Sequence, residues 1–398
     1  MANNKTLKKK KSGSGMGTSG IMIMLVAVYV FFAILTGGKN MTPMNINNLI
    51  MQNGYVVILA VGMLLCVLTG NVDLGVGSVV ASCGAVAGTL IIDKGWSSPM
   101  AMLAALAVGL CFGLFVGVFV AYVEIPPFIV TLATMLMGRG LCYVILQAQT
   151  KGPLPASYNW IGTGFLPTVR IGVDSLNNGK GIDLVCLVVA AVVSVLLVLN
   201  ELKSIANAKK HNLPVPPVAQ TIVKDVVLIG VICFFFWKLA CYNGIPVVLV
   251  LMVALVAIYH FVTTKTVAGR QIYAMGGNAK AARLSGIDTK KVFFWVYTNM
   301  GVLAAVAGIV LSARNQSATP KAGDSFEMDA IASCYIGGAA TSGGSGTIIG
   351  AVIGAFIMGI LNNGMSLAGY DTNVQKIVKG MVLLGAVTFD LVSKRKKK

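Results

Sequence analysis

Three stretches follow one another without a gap: "IPVVLVLMVALVAIYHFV" (Ile245–Val262), "TTKTVAGRQIYAMGGNAKAARLSGIDTKK" (263–291) and "VFFWVYTNMGVLAAVAGIVL" (Val292–Leu311). The outer two are apolar on every side and close to the length that crosses a hydrocarbon core of about 30 Å. A helix apolar all round must be buried in a large core or in lipid. The middle stretch is basic and rich in small residues. Reading the flanks as membrane crossings places it at a membrane surface, and that reading extends to the whole chain.

Of 398 residues, 56% are hydrophobic and only 11% are charged, with a mean hydropathy of +0.83. A soluble domain carries about 25% charged residues. Further apolar runs lie at Ile21–Leu35, Leu49–Leu68, Leu74–Ile92, Met100–Val123, Phe128–Gln147, Leu184–Leu199, Ile222–Leu239, Ala330–Ala340, Thr347–Leu361 and Val374–Val392. None shows the alternation of a barrel strand. The expectation is an all-α polytopic membrane protein with 10–12 transmembrane helices. The uncertain count comes from Ala330–Ala340, too short to span alone and followed by "GGAATSGGSGT" (Gly337–Thr347), which reads as a broken or re-entrant helix.

The net charge is +18. In a soluble protein that points to nucleic acid, but here the basic residues sit between and beyond the apolar runs, so no nucleic-acid partner is expected. "KTLKKKK" stands near one end and "SKRKKK" at the other. Lys and Arg mark cytoplasmic loops, so both termini are expected in the cytoplasm, with an even number of crossings. Basic tails at 1–20 and 394–398 then flank one membrane domain, 21–393. Residues 148–183, with Trp160, Asp174 and Asp183, fall outside the cell, and 200–221, with "HNLPVPP", and 263–291 fall inside. Ile21–Leu35 reads as a retained membrane helix and not a cleaved signal.

The eight Cys include no C-x-x-C pair, and those inside apolar runs, such as Cys66, Cys111 and Cys186, behave as small hydrophobes. His211 and His260 are the only histidines, so no histidine-based metal site is expected. No H-E-x-x-H or G-x-S-x-G pattern supports a membrane-embedded enzyme, and no polar stretch is long enough for a soluble catalytic domain. The glycine-rich Gly337–Gly350 block lacks the Lys-Ser/Thr of a phosphate loop, and its small residues favour close helix approach.

Within the polar middle stretch, Asn278 is a good N-cap, the residues from Ala279 are strong helix formers, and Gly286 stands where a C′ glycine belongs. The predicted helix is about 12 Å long and lies across the cytoplasmic face. Ala281 and Ala282 offer a close-approach surface, rimmed by Lys280 and Arg283. Such a knob suits a groove on another protein; a solvated loop with helical turns fits the same residues.

"GRQIYAMGGNAKAARLSGIDTKKV" (Gly269–Val292) resembles the coupling segment of monosaccharide permease subunits of bacterial ATP-binding cassette importers, the group that includes ribose, galactose and xylose permeases. "LTGNVDLGVGSVVA" (Leu68–Ala81), "IPPFIVTLATMLMGRGL" (Ile125–Leu141) and "MDAIASCYIGGAATSGGSGTIIGAVIGAFIMGILNNG" (Met328–Gly364) resemble three further blocks of that family, in the same order. Gly75 departs from the usual Ser. The span from about Asn177 to Asn243 is longer than in compact members, as in the xylose and multiple-sugar branch.

The resemblance implies a multi-pass subunit of the bacterial inner membrane. A second permease copy, most simply a homodimer, completes the pathway, a sugar-binding protein delivers substrate from outside, and cytoplasmic ATPase subunits bind the ATP. This chain needs no cofactor of its own. Gly276, Asn278, Ala281, Ala282, Arg283 and Gly286 are the coupling candidates. Asn71, Asp73, Ser78, Phe128, Thr131 and Thr134 are candidates for the substrate pathway. An ionisable group at a helix centre costs about 2.5–3.5 kcal/mol to insert, so Asp73 either lines a polar path or caps the next helix at an interfacial turn. Phe128, Thr131 and Thr134 offer a sugar weak contacts, or simply pack their helix, and Arg139 snorkels or pairs. Two rivals stay open: a branched-chain amino-acid permease of the same importer class, and an ion-coupled secondary transporter.

Overall fold

The computed structural model describes residues 18–172, 181–211 and 218–395. The ends of both basic tails, Asp174 and most of "HNLPVPP" lie outside the described residues.

The described residues are mostly helical. Helices α1 (Thr18–Leu35), α2 (Pro43–Leu68), α3 (Val76–Ile92), α4 (Ser98–Ala121) and α5 (Pro127–Leu146) lead to a short α6 (Ala156–Thr163) and the strand pair β1 (Arg170–Ile171) and β2 (Ile182–Asp183). Then come α7 (Leu184–Lys210), α8 (Val218–Ala240), α9 (Val247–Lys265), α10 (Val267–Gly277), α11 (Ala279–Leu284), α12 (Thr289–Asn315), α13 (Phe326–Ile336), α14 (Ile348–Leu367) and α15 (Thr372–Arg395). Each of the twelve apolar runs read from sequence holds a helix. Among the described residues seven helices, α2, α4, α5, α7, α9, α12 and α14, are long and apolar enough to cross a membrane, and Gly20–Leu35 and Val76–Ile92 are shorter apolar helices.

Helix ends differ from apolar-run ends where polar residues are good helix formers. α7 continues through "ELKSIANAKK" to Lys210, into the segment read as a loop, with Lys209 and Lys210 beside the negative end of its dipole. At the start of α2, Thr42 accepts a hydrogen bond from the Asn45 N–H and Pro43 occupies the first turn.

Among the long apolar helices three are mostly buried. The apolar window of α2 is 83% buried and those of α12 and α14 are 72%, against 11% for α7. α12 packs on α4, α2 and α3. Its closest approach to α4 depends on glycine: a Cβ at Gly301 would lie 2.3 Å from the Gly109 carbonyl oxygen. α7 pairs mainly with α8 and leaves Val188, Val192, Leu196 and Leu199 exposed, a face fit for lipid.

Contacts between connections define two ends of this bundle. At one end Lys151 meets Asp93 and pairs its backbone with Ala318, while Phe165 bridges to Pro246. At the other, Lys290 holds Glu124 at 2.7 Å, and the Gly344 N–H donates to the Leu68 carbonyl beside α10. α9 runs between them, so the 148–183 and 263–291 connections lie at opposite ends.

Candidate functional site

The 263–291 connection is two helices set at an angle, not one. Thr266 caps α10, accepting from the Gly269 N–H at 3.3 Å. α10 stops at Asn278, whose backbone turns extended (φ −160°, ψ 98°). The Asn278 side chain then accepts from the Ala281 N–H at 3.0 Å and starts α11. Gly286, at φ +84°, reverses the chain, and the Ile287 N–H returns to the Ala282 carbonyl at 3.1 Å. Asp288 caps α12 through the Lys291 N–H, and that bond holds its carboxyl below the usual carboxylate range.

The six coupling candidates divide by burial. Gly276 is wedged against α2, where an added Cβ would lie 1.6 Å from the Leu68 carbonyl oxygen. Tyr273 reinforces that junction by donating to the Gly346 carbonyl at 2.7 Å. Ala282 is buried beneath α11. Asn278, Ala281, Arg283 and Gly286 are exposed, and so is Leu284, at 90%. Sequence reasoning missed Leu284. Its signal was one large apolar side chain at the end of a short polar helix.

The pathway candidates lie where α3 packs on α5. Asp73 is buried, and its carboxylate accepts from the Gly75 N–H at 2.8 Å, so it closes the turn before α3 and is not the N-cap itself, which is Gly75. Asn71 donates to its neighbour Thr69's carbonyl. Thr131 and Thr134 are buried and donate to carbonyls of their own helix, those of Phe128 and Val130. Ser78 packs on Gly138, and its buried hydroxyl has no hydrogen-bond partner. Asp73 and Thr134 line a small void shared with Tyr297, whose buried hydroxyl is likewise unpartnered. Phe128 is not part of this group: it is 58% exposed on another face of α5.

A larger feature opens beside the connection from α12 to α13. Between α12 and α13 the backbone is non-helical from 316 to 325. It descends alongside α3, with Ala318 against Gly88 and Gly323 against Gly77, and α13 begins with Phe326 stacked on Tyr55, midway along α2. Arg139 of α5 donates to the carbonyls of Pro320 (3.0 Å) and Ala322 (2.6 Å). Lys376 and Lys379 of α15 pair with Asp324 (2.6 Å) and Asp329 (2.9 Å). Arg139, Ala322, Asp324, Lys376 and Lys379 border a cavity of about 900 Å³, with Thr319 also on its wall. Arg139 therefore pairs with backbone and does not snorkel. The other charged partners were missed because each pair joins residues some fifty positions apart.

Residues 45–387 match the family described as branched-chain amino acid transport system / permease component. The chain is 36% identical over 372 residues to the xylose transport system permease protein XylH of Escherichia coli K12, covering 94% of this chain and 91% of that protein. It is 35% identical over 379 residues to XylH of Haemophilus influenzae, covering 94% and 97%. Identity to the ribose import permease protein RbsC of Escherichia coli K12 is 33% over 369 residues, covering 92% of each. No solved structure matches the chain. With a continuous match from the start of α2 into α15, the chain belongs to the branched-chain amino acid transport system / permease component family.

Proposed function

We propose that this chain is the membrane-spanning subunit of an ATP-driven importer for monosaccharides, with pentoses the first candidates. The observation that carries the reading is full-length similarity to xylose and ribose permeases, over more than nine-tenths of this chain and of each relative. Two copies form the pathway in the inner membrane, a sugar-binding protein delivers substrate at the end bearing α6, and separate ATPase subunits receive α11. That orientation puts both termini in the cytoplasm, supported by the lysines of the two tails. Twelve crossings follow if the non-helical stretch and α13 together make one. The exposed Ala281, Arg283 and Leu284 at the tip of α11 support a docking role for that helix. The pathway role of Asp73, Ser78, Thr131 and Thr134 is supported by burial at one helix interface, that of Asn71 only by its place in the turn before α3, and that of Phe128 only by its place on α5.

The family's printed description favours one other reading, a branched-chain amino acid as cargo. Reconstitution with the partner ATPase and binding protein decides between them. ATP-dependent uptake of labelled xylose or ribose, with none of leucine, is expected. Leucine uptake, or uptake by this chain alone that an uncoupler abolishes, overturns the sugar reading.

A further inference from the structure

A chain crossing apolar surroundings without a helix must find partners for every backbone group it exposes. Residues 316–318 find theirs in the 148–155 connection: Leu154 N–H to Gln316 carbonyl, and Lys151 and Ala318 with each other, all at 2.9 Å. Pro320 has no N–H to give. Its carbonyl and that of Ala322 accept from one atom, Arg139 Nη1, contributed by a helix 181 residues away in sequence. Just beyond, a Cβ at Gly77 would lie 2.2 Å from the Gly323 carbonyl oxygen, so α3 and the stretch are in backbone contact. Lys376 and Lys379 of α15 hold the acidic residues that follow. Three separate helices thus fix a stretch with no secondary structure of its own, and the side it turns outward borders the cavity of about 900 Å³.

We propose that Arg139 is a positioning residue for transport: its guanidinium links α5 to the 316–325 stretch, so that movement of α5 moves the wall of this cavity. Arg suits the task because it stays ionised and is more weakly hydrated than an ammonium. A Lys at 139 reaches less far and carries a compact, strongly hydrated charge, and a Gln offers only a neutral donor. The inference rests on the reading of the chain as a permease, since it assigns the cavity to the cargo's route.

The test places Arg139→Gln and Arg139→Lys in the full chain, each with and without Thr319→Cys, a half-buried position on the cavity wall. In lipid nanodiscs, the labelling rate of that cysteine by a hydrophilic thiol reagent is read against the parent without it. Arg139→Gln is expected to raise the rate about tenfold as the wall loosens, with Arg139→Lys between it and wild type. In the reconstituted importer the maximal uptake rate falls about tenfold while the KM for loaded binding protein stays within about twofold. Unchanged labelling in a folded Arg139→Gln protein, or a loss of uptake that matches a loss of protein and nothing more, overturns the proposal. Where Arg139→Gln fails to accumulate, Arg139→Lys carries the same two readouts. Labelling needs no substrate, so a wild-type chain that moves no sugar would refute the importer reading and leave this result standing on its own.

Discussion

Lys379 of α15 holds the carboxylate of Asp329 at 2.9 Å, and that carboxylate is only 2% exposed. α15 otherwise turns Ile377, Met381 and Leu384 outward, so this pair and Lys376–Asp324 are its main polar ties to α13 and the stretch before it. Removing one member of a buried pair leaves an uncompensated charge at a cost of about 3–5 kcal/mol, whereas removing both is often close to neutral. Lys379→Met alone should therefore lower the unfolding temperature of the purified protein sharply. The double variant Asp329→Asn, Lys379→Met should recover most of that loss. Equal destabilisation by the single and double variants would show that the ion pair is not what holds α15.

Gly276 and its neighbour Gly277 make opposite predictions. A methyl at Gly276 meets the Leu68 carbonyl at 1.6 Å, and backbone on both sides leaves it nowhere to go; at Gly277 the same methyl meets nothing within 4 Å. Overpacking typically costs about 1–3 kcal/mol, and more against rigid backbone. Gly276→Ala should reduce membrane abundance and thermal stability, while Gly277→Ala should match wild type in both. Tolerance at Gly276 would mean that α10 does not seat on α2 as described.

What was legible in the sequence was whatever has a local physical cause. All twelve apolar runs coincide with helices because lipid or a large core is the only place for them. Asn278 and Gly286 announced a short helix because capping and positive φ are single-residue properties. The glycines of "GGAATSGGSGT" announced the non-helical connection after α13, but the longer non-helical stretch before it, 316–325, was not read from the sequence. The bend between α10 and α11 was not, since Asn278 ends one helix while starting the next. Nor was the burial of Thr131 beside an exposed Phe128: three residues turn a helix by about 300°, which leaves the two only about 60° apart, and the neighbouring α3 decides which is covered, whereas Thr134 lies about 120° from Phe128. Arg139 illustrates the general limit, because its partners are carbonyls, and carbonyls carry no sequence signature.

Glu124 and Lys290 join the α4–α5 turn to the start of α12 at 2.7 Å, and both side chains are largely exposed. The hydrogen bond and charge of Lys290 hold the Glu124 carboxyl below its ordinary value. A depressed carboxylate contributes stability above its unfolded value and loses it as pH falls through the folded one. Any difference in unfolding temperature between wild type and Glu124→Gln should therefore appear at neutral pH and low salt. It should vanish on acidification below the carboxylate range, and also in high salt, where exposed pairs are screened. A difference that grows on acidification would contradict the assignment.

Asp73 offers a way to separate charge from shape. Its carboxylate accepts the Gly75 N–H at 2.8 Å, a bond that an Asn side-chain carbonyl makes equally well and an Ala does not. If the turn is what matters, Asp73→Asn keeps both stability and uptake, while Asp73→Ala loses about 1–3 kcal/mol from the stranded buried donor. Loss of uptake in a stable Asp73→Asn protein would instead place the negative charge itself in the cargo's route.

Leu284 is 90% exposed on a helix that otherwise presents Ala, Lys and Arg, and a lone large apolar side chain in that position gains most from a partner's pocket. Fully burying a Leu side chain is worth about 1.5–3 kcal/mol, which is about tenfold or more in affinity. Leu284→Asp should therefore abolish co-purification of the ATPase subunits and ATP-dependent uptake, with no change in the unfolding temperature of the isolated chain. Ala281→Asp, three residues earlier on the helix, should act in the same direction by adding a charge where the partner must approach closely. Arg283 supplies the control: its neighbours leave it solvated, so Arg283→Gln should alter the salt dependence of association more than its strength. If Leu284→Asp assembled and transported normally, α11 would be a capped surface turn and the partner's docking site would have to be sought elsewhere on this end of the bundle.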